Sequence, residues 1–447
     1  MSMAVAFGSG LISVWGIVWS MTWLVWTRPQ FDAMRVERRR KSWKGTNGNV
    51  VQNGEYPNLR QRIIANRDAK LERTDIISSE TNGKVEETEY YWQSYPDNLH
   101  DRIDWVLDLI MNFRGPGWNW QIPPLPSLPP HVKTKLGESI DDAAKKNISS
   151  VGVKRANTRR ELFLARVPMF TVGYFVLDIL KVAMMKDPYF TFGPNSYALP
   201  PHLANLSPLA LYLSRQGLSL LAIVVSLEMV FLLAPLSFSL ILGPSSFLGL
   251  RGEAWYYPTA WGSMTPILNK GLGGLWGGWW HQTFRFAFAA PTNFLISNRY
   301  IEPRSPTTKL VSLFFAFSIS GLLHAGGSKS QFPSTHPWHA PIFFMIQPLG
   351  IFLQTTLCSL LHPYLSKLPK SIRQTGNAVY TLAWGFSTGS WLTDDFARGG
   401  IWLWEPIPIS VLRGLGFGNR GDGWWCWEHI GIGWYTGKHW WESGLAF

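Results

Sequence analysis

Long apolar runs separated by polar stretches dominate the chain. Met3–Trp26 is uncharged and stops at Arg28. Residues 217–243 are apolar apart from Glu228, with Pro235 as an internal kink, and residues 167–185 carry Asp178 and Lys181 one helical turn apart, placed to pair or to reach an interface. Further runs occupy 283–298, 310–325, 340–361, 378–393 and the proline-interrupted 401–412. In lipid every backbone polar group must be satisfied inside its own segment, so an apolar run of roughly 20 residues predicts a spanning helix. The pattern predicts an all-α, multi-pass integral membrane protein with about eight spans, within a range of about seven to ten. The first run has no basic stretch ahead of it and exceeds a secretory core in length, which reads as a retained anchor.

The polar positions divide the rest. Residues 1–27 form the anchor, 28–161 a polar and basic segment, 162–414 the multi-span core and 415–447 a Trp-rich tail. Within the polar segment, Leu99, Ile103, Val106, Leu107 and Ile110 recur at helical spacing, predicting an amphipathic helix over 99–113 on the membrane surface or against the core. Residues 78–88 have the composition of a disordered loop. The proline-rich run 122–130 cannot continue a helix. Residues 244–278, broken by Gly, Trp and Pro, are neither a span nor an ordinary hydrophilic loop. Irregular backbone at membrane depth is tolerated only where protein or a cavity surrounds it, so this is where a site belongs.

Charge adds orientation. The formal net charge is +12, yet 23 of the 41 Lys and Arg lie within residues 28–160, which places that stretch in the cytosol under the positive-inside rule. Its densest block, Arg35, Arg38, Arg39, Arg40, Lys41 and Lys44, reads as a juxtamembrane stop signal able to touch anionic lipid; no nucleic-acid fold signature accompanies it. Cys358 and Cys426 are the only cysteines, too few for a cysteine zinc site or a disulfide framework.

Two histidines carry the candidate chemistry. His324 closes the run 310–325, inside Ser320-Gly321-Leu322-Leu323-His324-Ala325-Gly326-Gly327, where small neighbours admit a helix or a substrate to the imidazole. The bland reading is a packing histidine bonded to a neighbouring helix. His281 stands 43 residues earlier in Trp276-Gly277-Gly278-Trp279-Trp280-His281-Gln282-Thr283-Phe284-Arg285. Its glycines allow close backbone approach, its tryptophans make flat walls, and Gln282 and Arg285 add donors; an interfacial aromatic belt is the competing reading. Asp394-Asp395 reads as a solvated helix cap more than a magnesium diphosphate site, His336 and His339 lack companion ligands, and Glu228 reads as a packing or lipid-facing compromise more than a proton relay, with a substrate-binding role left open.

Trp276-Gly277-x-x-Trp280-His281-Gln282 with Arg285, followed by a helix ending Ser320-Gly321-Leu322-Leu323-His324, resembles the wax-synthase-like branch of the membrane-bound O-acyltransferases, closest to fungal members that acylate secondary-metabolite hydroxyls. The anchor followed by Trp26-Thr27-Arg28-Pro29-Gln30-Phe31-Asp32-Ala33 is similar too. The sequence departs from that pattern at Gly278, where such relatives often carry a basic residue, and at His281, where other branches hold Asn or Asp. The resemblance implies acyl transfer, usually acetyl, from coenzyme A to a hydrophobic alcohol such as a terpenoid or polyketide, within a tunnel crossing the helical fold of an endoplasmic-reticulum membrane protein. His324 would be the general base. His281 and Gln282 would orient the thioester or donate to its oxyanion, with Trp279, Trp280, Phe284, Arg285 and Gly321 around the substrates. Acyl-coenzyme A would be a co-substrate and neither a bound cofactor nor a metal is expected. For the phosphates, Arg251, Lys270 and Arg285 are available. A long-chain wax or sterol ester synthase is the runner-up, and a multi-span transporter or an Asp394-Asp395 prenyltransferase would be of another class.

Overall fold

The structure is a computed structural model that describes residues 3–40, 88–140, 142–245, 248–332, 334–427 and 433–446. Lys41, Lys44 and residues 78–87 of the expected loop 78–88 lie outside the described residues, and Thr88 opens a strand. Helix α1 (Met3–Met21) runs on as a wider turn to Trp26. Strands β1 (Arg35–Arg40) and β2 (Thr88–Gln93) pair antiparallel, and α2 covers Leu99–Met111. The remaining long helices are α3 (Arg159–Met184), α4 (Pro208–Ala234), α5 (Arg285–Ser297), α6 (Pro306–Lys329), α7 (His339–Leu360) and α8 (Lys370–Arg398).

Local chemistry sets these boundaries. Thr158, Ser207 and Ser305 each accept a hydrogen bond from the backbone three residues on, capping α3, α4 and α6, and Pro208 and Pro306 occupy first-turn positions where no amide donor is missed. Pro235 ends the regular ladder of α4, which continues to Leu242 with π-type turns.

Among the described residues, five helices are long and apolar enough to cross a membrane: Met3–Trp26, Arg159–Met184, Pro208–Leu242, Pro306–Lys329 and His339–Leu360. The expected eight are therefore not reached by this criterion. The run 283–298 yields only the 13 residues of α5, about 20 Å of helix at 1.5 Å per residue. The run 378–393 is the middle of the 29-residue α8, whose ends carry Lys370, Arg373, Asp394, Asp395 and Arg398. Residues 401–412 are not a span: Ile401–Leu403 is one 3₁₀ turn and the chain then extends through Pro406 and Pro408 to the short helix Val411–Gly414. The fold is mostly helical, with two two-stranded sheets among the described residues, the second joining Gly433–Tyr435 to Gly444–Ala446.

Asp178 and Lys181 do not pair with each other. Asp178 accepts from the Ser410 hydroxyl and from the Leu412 amide at 3.0 Å, while Lys181 Nζ donates to the carbonyls of Trp402 and Trp404 at 2.8 and 3.0 Å. These buried charges of α3 tie down the polar backbone of 402–412 at membrane depth, which replaces the hydrogen bonds a helix would have made.

The basic block likewise becomes a strand. Arg35 is 5% exposed, and its guanidinium reaches Asp104 at 2.6 Å and Gln93 at 2.8 Å. Arg38 pairs with Glu253 at 2.9 Å. Helix α2 is confirmed and two-faced: Trp105, Asp108 and Leu109 are buried, while Leu99, Ile103, Leu107 and Ile110 stay exposed along one stripe. That stripe suits the headgroup boundary of a bilayer. Trp15, Trp19 and Trp23 of α1 pack with Trp105, Leu109, Ile319 and Leu323, and the Trp19 indole donates to the Ile110 carbonyl at 2.9 Å. The anchor is thus a wall of the core.

Candidate functional site

His324 lies about five turns into α6, among the rings of Phe344 at 5.1 Å, stacked, and of Phe7 and Phe396 at 6.1 and 6.2 Å. The helix reaches this position because its glycines let two neighbours press close. A Cβ on Gly321 would lie 2.7 Å from Pro341 Cα of α7, and one on Gly10 of α1 would lie 2.2 Å from the Gly326 carbonyl oxygen. The small residues beside His324 therefore admit α7 and α1, and Gly321 acts through helix packing.

His281 follows a tight passage of short helices, Thr265–Lys270 and Leu272–Gly274, and a π turn, Leu275–Trp279. Its ring is surrounded by Phe231, Trp261, Trp280 and Phe284, with centroids 5.3–5.9 Å away. Gly278 is buried, and a Cβ there would stand 2.7 Å from the Cβ of Pro266, so a larger residue does not fit without movement of the turn.

The two histidines come close enough for the charge of one to act on the other. In each, Nδ1 is buried without a hydrogen-bond partner. A packing histidine would have spent that nitrogen on a neighbour, as buried polar groups normally do. Two imidazoles with unspent nitrogens, enclosed by aromatic rings, can take or give protons and hydrogen bonds to a bound molecule while excluding bulk water.

The other expected site residues divide into those that face the histidines and those that hold the turn. Trp280 contacts His281 directly, and Trp279 packs on Trp261 at 5.0 Å and on Trp280 at 5.9 Å. Phe284 bridges His281 to Trp15 of α1 at 4.5 Å. Gln282 is fully engaged: its amide donates to the carbonyls of Trp276 and Trp280 at 2.9 and 2.7 Å, and its oxygen accepts from Arg285 at 2.7 Å. Gln282 and Arg285 thus brace the turn that presents His281. Arg251 is tied to Asp104 and Asp108, each at 3.0 Å, whereas Lys270 is exposed.

Sequence reasoning missed Phe7, Phe231, Phe344 and Phe396, because an aromatic residue in an apolar run signals nothing about which helix it will face. Asp395 is buried and accepts from the His336 amide at 2.6 Å, and Asp394 accepts from the Tyr189 hydroxyl at 2.7 Å, so the pair is built into the fold and is not a solvated cap. No cluster of three or more His, Cys, Asp or Glu side chains able to hold a metal ion occurs among the described residues.

Residues 257–346, which include both histidines, match the model of the membrane bound O-acyl transferase family. The chain is 26% identical to an O-Mevalon transferase of Penicillium terrestre over 51% of its own length and 46% of the relative's. It is 26% identical to an O-Mevalon transferase of Aspergillus niger over 71% of its length and 64% of the relative's. An acetyltransferase of Arthrobotrys oligospora is 25% identical over 71% of this chain and 65% of that protein. The chain spans about half to just under two thirds of the length of these curated relatives. No solved structure matches it. The family match thus falls on the two-histidine segment of a mostly helical fold with five helices long and apolar enough to cross a membrane, and it is over residues 257–346 that the chain is similar to the membrane bound O-acyl transferase family.

Proposed function

We propose that the protein transfers an acyl group, acetyl in the first instance, from acyl-coenzyme A to a hydroxyl of a hydrophobic acceptor of the terpenoid or polyketide kind. The observation that carries this reading is the pair of aromatic-enclosed imidazoles, His281 and His324, each with an unspent Nδ1. An alcohol attacks a thioester slowly unless a base takes its proton as the new bond forms, and His324 serves as that base. The alcohol oxygen bonds to the carbonyl carbon, a tetrahedral oxyanion forms, and His281 donates to it. Collapse breaks the C–S bond, and the leaving thiolate receives the proton held by His324. Attack is direct: Cys358 is exposed and Cys426 lies in the C-terminal segment, so neither is offered as an acyl carrier. Gln282 and Arg285 position His281 and do not touch the substrates.

Coenzyme A enters from the side that bears residues 28–161, taken as the cytosolic face of an endoplasmic-reticulum membrane. A tag in that segment should be accessible to protease in sealed vesicles with the cytosolic face outward; protection there overturns the orientation. The decisive test is release of free coenzyme A thiol together with ester formation, using purified protein, acetyl-coenzyme A, a hydrophobic alcohol and a chelator. Retained turnover in His324→Ala overturns the role given to His324.

The walls made by Trp279, Trp280 and Phe284 support a short donor. Each added methylene has to displace packed rings, an overpacking cost of about 1–3 kcal/mol, so acetyl should be favoured over butyryl by roughly ten-fold or more. Trp280→Ala should relax that preference. An initial-rate series of acyl donors decides it, and a wild type that favours palmitoyl promotes the wax or sterol ester alternative. The same series tests the group named in the two O-Mevalon transferases.

A further inference from the structure

A second set of unspent polar groups lies beside the histidine site. A cavity of about 190 Å³ is lined by Arg114, Arg166, Glu228, Phe231 and the 257–260 loop. Arg114 is committed to the loop, donating to the carbonyls of Pro258 and Thr259 at 2.8 Å each. Arg166 is not. It is 6% exposed, one of its terminal nitrogens reaches the Tyr257 carbonyl at 3.4 Å, and its Nε is buried with no partner. Glu228 Oε2 is also buried with no hydrogen-bond partner, in a carboxyl that faces Arg166, the Trp261 indole and Arg114. One wall of the cavity borders His281. Phe231, on its wall, stands 5.3 Å from the His281 ring, and Trp261, next to the lining residue Ala260 and with its indole facing Glu228, stands 5.6 Å from it.

The unspent groups select the occupant, because Arg114 has committed its donors and what is left is a donor on Arg166 and an acceptor on Glu228. A carboxylate or phosphate would suit Arg166 but bring Glu228 no donor; an ammonium group would suffer the reverse; a hydrocarbon would leave both buried groups unpaired, which is costly. A hydroxyl is the small neutral group that accepts from Arg166 and donates to Glu228 at once. We propose that this cavity is a specificity site for a second hydroxyl of a polyoxygenated, otherwise hydrophobic acceptor, held there while its reacting hydroxyl lies between His281 and His324. Glu228, in mid-span, is then neither a packing compromise nor lipid-facing. The inference rests on the acyl-transfer reading for its kinetic arm only.

The test compares 1-alkanols with α,ω-alkanediols of four to twelve carbons, as acceptors from acetyl-coenzyme A and as ligands that shift the melting temperature of the detergent-solubilised protein. In the wild type one diol spacing should exceed its matched mono-alcohol ten-fold or more in kcat/KM and should raise the melting temperature further. In Arg166→Leu and Glu228→Leu the diol-to-mono-alcohol ratio should fall to near one, while Glu228→Gln, which still accepts a hydrogen bond, should retain part of it. The ratio does not depend on how much protein folds. Equal rates and equal melting shifts for diols and mono-alcohols in the wild type, as expected if the cavity holds water only, overturn the proposal. So does a diol preference that survives both leucine variants. If no alcohol is acylated but the diol-specific melting shift is present and is lost in the leucine variants, the cavity assignment stands and the acyl-transfer reading falls.

Discussion

Two polar clusters of the molecule are built on opposite principles. In the first, Arg35 and Arg251 are bridged by Asp104 and Asp108, and Asp108 also accepts from the Trp118 indole at 3.1 Å and the Tyr256 hydroxyl. The Asn112 amide in turn donates to the Tyr256 oxygen at 2.9 Å. Burial, reinforced by Asp108, pushes the Tyr256 phenol well above its ordinary range, so it remains a donor. For Arg251, burial works against the charge, but Asp108 and Asp104 outweigh it and hold the guanidinium above its ordinary value. In the second cluster aromatic rings surround His281 and His324, and Nδ1 of each is unpaired. A saturated network fixes one arrangement of strand, helix and loop. An unsaturated one has bonding capacity left for a substrate, and its cost is carried by the packing of the helices around it.

The comparison is broken most sharply at His324. His324→Ala should lower kcat/KM for acyl transfer by roughly two to four orders of magnitude and lower the melting temperature less than Asp108→Ala does, because it costs ring packing against Phe344 but no protein hydrogen bond to Nδ1. Asp108→Ala should do the reverse. It strips partners from buried Arg35 and from Arg251, an effect of about 3–5 kcal/mol, visible as a lower melting temperature and faster proteolysis of the 28–161 segment, with the specific activity of the surviving folded fraction preserved. A His324 variant that unfolds, or an Asp108 variant that is stable and inactive, would erase the distinction.

Gly321→Ala sharpens the packing side of the contrast. The new methyl group meets Pro341 Cα at 2.7 Å, so α6 and α7 must separate, at about 1–3 kcal/mol. Stability and activity should fall together, since the displaced helix carries His324; thermal unfolding and initial rates on one preparation check this. The smallest effect is the pH dependence of the first cluster. Burial opposes the charge of Asp104, but hydrogen bonds and charges from Arg35 and Arg251 prevail and hold its carboxyl below the usual 3.8. The unfolded chain therefore binds that proton first. Asp104 contributes its stability above pH 3.8 and loses it as pH falls through the lower folded value. Melting temperatures measured downward from pH 5 should show a shallower decline in Asp104→Asn than in the wild type.

Composition and periodicity were enough for much of this protein. Hydropathy alone located the five membrane-crossing helices, because the need to satisfy backbone groups in lipid leaves a long uninterrupted apolar run few other conformations. The period of Leu99, Ile103, Leu107 and Ile110 was likewise enough for α2, and an ionisable residue deep in an apolar run, amid small neighbours, was enough to single out His324. Tertiary structure decided the rest. The run 401–412 is as apolar as a short span, but its prolines leave amides and carbonyls unpaired, and Asp178 and Lys181, more than 200 residues earlier, satisfy them instead. Arg35–Arg40 reads as a basic patch until β2 and α2 supply a partner strand and carboxylates. Gln282 reads as a substrate donor until the turn it braces has consumed its amide. Side-chain chemistry along the chain states what a residue can bond to; only the folded neighbours determine which of those bonds are already spent.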